Sequence, residues 1–107
     1  MFLIKQGEGK MDTIKIIKNR EIDEVDLLEY ITDNDINVAI AAAESDIATE
    51  PILDIAAHDK DSAVRKAAVN NKNIGVQTLQ YLLKDKDEEI ATLASERLRE
   101  KRDEMVL

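Results

Sequence analysis

Apolar positions along this 107-residue chain follow a pattern that itself recurs every 26 residues. Leu27, Leu53 and Leu79 share one register; Val38, Val64 and Ile90 share another, and Ala42, Ala68 and Ala94 a third. Within a block the spacing is helical: Val76, Leu79, Leu82 and Leu83 fall on one face of a helix over residues 76–84. A constant step of this size marks stacked units, because a single unit would leave its apolar face in water.

Each block predicts two short helices. In block 59–84, Asp61 is placed to cap a helix over residues 62–69, the turn-prone run from Asn70 to Asn73 stops it, and Gly75 leads into the second helix. In block 33–58, Asp35 caps a helix over residues 36–44, and Ser45 and Asp46 interrupt it. Thr49, Glu50 and Pro51 then open the next helix, with proline in the first turn, where a missing amide costs nothing. Block 12–32 keeps a fainter form, with Asp12 capping residues 13–18 and Asp23 capping residues 24–31. Block 85–107 lacks the internal breaker and predicts one longer helix over residues 88–104 that closes the stack. The expected fold is all-α, a short right-handed α-solenoid of about three and a half 26-residue units with a longer C-terminal capping helix. Residues 1–11 fall outside the repeat as an N-terminal extension, either packed on the first helices through Phe2, Leu3 and Ile4 or disordered.

Composition sharpens this picture. Aromatics make up 3% of the chain, so Ala, Ile, Leu and Val must build the core; three Gly and one Pro are too few for a turn-rich sheet protein. The chain has no Cys, which removes disulfides, thiol nucleophiles and cysteine metal sites. The apolar N-terminal run is too short for a signal peptide or a membrane span, so a cytoplasmic soluble protein is the default. A net charge of −8 argues against nucleic acid or an anionic membrane as partner, since both require a basic surface. The charge is uneven: block 33–58 carries −6 and block 59–84 carries +3. Either neighbouring units neutralise one another, or the surface is polarised for docking.

The run from Asp59 through Val64, Arg65, Ala67 and Ala68 to Asn71, followed by Leu79, Leu82 and Asp85, carries a family pattern. It resembles variant leucine-rich repeats, D-x-D-x-x-V-R-x-A-V-A-x-N followed by L-x-x-L-A-x-D, and also HEAT repeats, which share its first half but run longer. The match is best over residues 59–87 and weaker over 33–58, where Ala39 replaces the Arg and Ser45 the Asn. The resemblance implies units that alternate an α-helix with a shorter, often 3₁₀-like one, and a role as an interaction scaffold. It also implies that Arg65 pairs with an aspartate of a neighbouring unit, with Asp33, Asp35 and Asp59 as candidates. The iron–sulfur, di-iron and DNA-binding versions of such folds need Cys clusters, His–Glu pairs or basic aromatic surfaces, and this chain offers none of them.

Three pairs, Asp33/Asp35, Asp59/Asp61 and Asp85/Asp87, are the tempting catalytic or calcium-binding candidates. They lack the further oxygen ligands and the Gly of a calcium loop, and their recurrence at helix starts fits capping better. His58 is the only His and sits near a helix C-terminus, where the dipole favours it. No catalytic, metal-binding or cofactor-binding residue is therefore assigned. Ile55 and Tyr81 occupy equivalent positions, with Asp54 and Gln80 beside them, and these four form the candidate partner-binding patch. The expected function is a non-enzymatic protein-interaction module in which the acidic block and this patch meet a basic or apolar protein or peptide surface. The alternative is self-assembly, for example as a homodimer, through exposed end faces.

Overall fold

A computed structural model describes residues 10–105, and the side chains of residues 12–104. The predicted extension over residues 1–11 lies largely outside the described residues; its last two, Lys10 and Met11, belong to the first helix. All the described regular structure is helical: α1 Lys10–Lys18, α2 Glu24–Tyr30, α3 Ile36–Glu44, α4 Glu50–Ala57, α5 Ser62–Asn70, α6 Val76–Leu82 and α7 Glu88–Met105. The helices α1, α3, α5 and α7 begin 26 residues apart, as do α2, α4 and α6, so the sequence period is also the structural period. The second helices of the units are α-helical, not 3₁₀.

The Asp-x-Asp pairs build the helix starts by an identical relay. Asp33, Asp59 and Asp85 each accept, through Oδ1, the amide of the aspartate two residues on, at 2.7, 2.8 and 2.9 Å. Those aspartates in turn accept the amides of Asn37, Ala63 and Glu89 at 2.8, 2.8 and 2.9 Å. Each relay satisfies amides that the first helical turn leaves without an intrahelical acceptor. Asp23 forms a capping box with Asp26 at α2. Asp12 is not a cap: α1 starts at Lys10, so Asp12 lies inside the first turn, where its charge still meets the positive end of the dipole. Helix α1 ends in a left-handed turn at Arg20 (φ 59°), with Glu21 N–H bonded to Ile16 O and Arg20 N–H to Ile17 O.

Helix α1 packs on α3, α3 on α5 and α5 on α7, while α2, α4 and α6 each pack on the first helix of the following unit, and α4 on α6. The result is 46 × 31 × 16 Å. The three aliphatic registers form the core: Leu27, Leu53, Leu79, Val38, Val64, Ile90, Ala42, Ala68 and Ala94 are all at most 1% exposed. Fully burying each Leu, Ile or Val stabilises by about 1.5–3 kcal/mol.

Candidate functional site

Polar side chains tie the units together, and they do so in two different ways. Between blocks 33–58 and 59–84 the donors are uncharged, two side-chain amides and one hydroxyl. Buried Asn71 donates through Nδ2 to Ala43 O and Ser45 O, both at 2.8 Å, and its Oδ1 accepts Asn73 N–H at 2.9 Å. Asn73 repeats the move onto Asp46 O and Ala48 O, each at 2.9 Å. The Asn-rich run read as a helix stop is thus also a clip onto the turn of the unit before it. Next to this, Thr78 Oγ1 donates to Asp54 Oδ1 at 3.1 Å.

Between block 59–84 and block 85–107 the links are charged. Arg65 donates Nε and Nη2 to the two oxygens of Asp85, at 2.8 and 3.1 Å, and Nη1 to the carbonyls of Asp59 and Lys60, at 2.9 and 3.1 Å. Its partner is therefore the aspartate of the following unit. Asp33 and Asp35 belong to the preceding unit, on the other side of block 59–84, and Asp59 contributes its backbone, not its carboxylate. Burial alone would raise the Asp85 carboxyl; the Arg65 hydrogen bonds, the Asp87 amide and the charges of Arg65 and Lys86 outweigh it and hold the group below its usual value. Lys66 adds an exposed pair with Glu89 at 2.8 Å. Acidic block 33–58 takes its cross-unit ion pair, Asp46 with Arg20, from the block before it. Among the described residues the cross-unit ion pairs of the basic block thus run to Asp85 and Glu89 of the following block and none to its acidic neighbour.

Three lysines keep their charge exposed. Lys60, Lys84 and Lys86 make no salt bridge among the described residues, and with Tyr81 and Gln80 they line a concavity of about 640 Å³. An adjoining concavity of about 480 Å³ is lined by Thr32, Asp54, Ile55, His58 and Asp59. Asp59 borders both. His58 caps α4, with Nδ1 2.8 Å from Asp54 O, the arrangement in which the ring N–H donates to the carbonyl. Its ring then stacks on Tyr81, with centroids 4.1 Å apart and planes 18° from parallel. No family model, curated protein or solved structure matches this chain. Whatever the surface does must be read from its own chemistry.

The four residues of the candidate patch are all exposed, Ile55 at 39% and Tyr81 at 50%, so neither is buried between units. They line two adjoining concavities, Tyr81 and Gln80 the lysine-lined one and Asp54 and Ile55 the aspartate-lined one. The His58–Tyr81 stack spans the boundary. From sequence alone His58 reads as a helix-end residue, and no motif there marks the lysines. A signal was present: Lys60 and Lys86 share one register and His58 and Lys84 another, so equivalent loops place them side by side. Among the described residues no cluster of His, Asp or Glu is arranged to hold a metal ion, and no helix is long and apolar enough to cross a membrane.

Proposed function

We propose that the chain is a non-enzymatic scaffold, a short right-handed α-solenoid of the variant leucine-rich or HEAT-like kind, that holds a protein or peptide segment across the His58–Tyr81 stack. The uniform 26-residue step of the helix starts and the serial packing of α1, α3, α5 and α7 support the solenoid reading. The observation that carries the binding reading is the exposed aromatic stack standing between a lysine-lined and an aspartate-lined concavity. Tyr81 offers a large face whose rotamer is already restrained by His58, which lowers the entropy cost of using it as an anchor. Lys60, Lys84 and Lys86 call for carboxylates on one half of the partner, and Ile55 for an aliphatic side chain on the other. The partner therefore carries acidic residues beside Tyr81, a different surface from the basic or apolar one expected from the acidic block and the patch.

Selection of displayed random peptides against the purified chain tests this. Enriched sequences are expected to combine acidic residues with an aliphatic one, and Tyr81→Ala with Ile55→Ser is expected to weaken their binding at least about tenfold, about 1.4 kcal/mol. Lys84→Glu should weaken them further. Affinity unchanged in these variants would refute the site.

A further inference from the structure

A second surface lies where α6 meets the distal half of α7. Val76, Leu83 and Leu98 line a groove of about 650 Å³ whose rim is Ser95, Arg99, Lys101 and Arg102. Register shows why this groove is exceptional. Leu83 is equivalent to Ala57 and Ile31, which are at most 1% exposed because the next unit covers them, yet Leu83 is 41% exposed. Val76, at 40%, stands where the inner units carry Glu24 and Glu50. The fold has no need of an apolar side chain at that position.

The opposite end of the molecule carries the complement. On α2, Val25 is 75% exposed and Leu28 47%, one helical turn apart. Their equivalents are Pro51 and Gln77, and Asp54 and Gln80, all exposed, so the packing does not require Val and Leu here either. On the same helix exposed Glu24 lies one turn from Leu28 and exposed Glu29 one turn from Val25. One surface is therefore apolar with a basic rim, the other apolar with an acidic rim.

We infer that the α6–α7 groove receives the α2 face of a second copy of this chain, giving head-to-tail association. Two grooves meeting each other would set Arg99 and Arg102 against their own copies, and two α2 faces would oppose carboxylates. Only the unlike pairing joins opposite charges around a shared apolar centre. The mode is a short amphipathic helix laid in a groove, read through residues one turn apart. Because the two surfaces differ, each copy joined leaves both kinds of surface free at the ends, and the assembly extends rather than stopping at a symmetric dimer. These residues are separate from the His58–Tyr81 edge, so this contact and peptide binding fail independently.

Light scattering coupled to size exclusion, over loading concentrations from about 10 μM to about 1 mM, reads the association directly. The mass of the wild type is expected to climb from 12.0 kDa with concentration, and to climb less at high salt. Val25→Glu and Leu83→Glu each spoil one surface and leave the other intact. Each alone should remain monomeric, while an equimolar mixture should form a species of about twice 12.0 kDa and grow no further. Circular dichroism checks that both variants are folded; if Leu83→Glu is not, Arg99→Glu with Arg102→Glu replaces it in the same mixture. A wild type that stays monomeric throughout would assign the groove to some other occupant and overturn the inference. A symmetric dimer that the mixture fails to restore would overturn it equally.

Discussion

Replacing Asp85 with leucine strands a guanidinium whose side chain is 7% exposed, opposite a carboxylate that is itself 5% exposed. Arg65 loses the acceptors of Nε and Nη2 and keeps only the Asp59 and Lys60 carbonyls on Nη1, while Asp87 N–H loses the acceptor that starts the last relay. Breaking one side of a buried pair costs about 3–5 kcal/mol, because the remaining charge stays desolvated without its counter-charge. That is a large share of the roughly 5–15 kcal/mol that a domain of this size has in total. Urea unfolding followed by circular dichroism measures it, and a cycle with Arg65→Met and the double variant isolates the pair. The double variant should be more stable than either single one, with a coupling of about 2 kcal/mol or more, since removing both charges leaves nothing buried and unpaired. The pair joins α5 to the start of α7, so hydrogen exchange in Asp85→Leu should quicken first in α7. The pair also has a pH signature. The Asp85 carboxyl is held below its ordinary 3.8, so the unfolded chain binds its proton at a higher pH than the folded one. Its contribution is complete above 3.8 and is lost as pH falls through the lower folded value; the double variant should lack this part of the acid slope. A loss below about 1 kcal/mol in Asp85→Leu, the size of an exposed pair, or an additive cycle, would refute the reasoning.

Other positions give independent checks. Asn71→Ala leaves Asn73 N–H without its acceptor and removes the buried donor to Ala43 O and Ser45 O, of which Ser45 O keeps Ala48 N–H, and is expected to cost about 2–4 kcal/mol in the same urea assay. Arg20→Gly should raise the melting temperature: relieving a non-glycine left-handed residue gains about 1 kcal/mol, more than the exposed pair with Asp46 contributes, so a lower melting temperature would count against it. Gly75 is the N-cap of α6 with no side chain to offer, at φ −87° and ψ 163°, which any residue adopts. Gly75→Ser should therefore gain a few tenths of a kcal/mol once the exposed Glu50 side chain swings away from the new Cβ, and a loss above about 1 kcal/mol would contradict that.

Repetition made much of this protein legible. Helix starts followed from Asp35, Asp61 and Asp87 because a cap is a local interaction, decided within a few residues of chain. The aliphatic registers at Leu53, Val64 and Ala68 followed from the period, because equal units bury equal positions. Local logic misplaced the start of α1, where Asp12 looked like a cap but the helix runs back to Lys10. What only the tertiary structure decided are pairings between units whose repeats differ: Arg65 chose Asp85 ahead of it, where Asp33, Asp35 and Asp59 behind it had been the candidates. Asn71 became a buried clip as well as a turn residue, and His58 and Tyr81, 23 residues apart, came face to face. A repeat period states which positions are equivalent, but contact between neighbouring units depends on the offset and twist with which they stack. That geometry is set by the whole set of packed side chains and is carried by no single one of them.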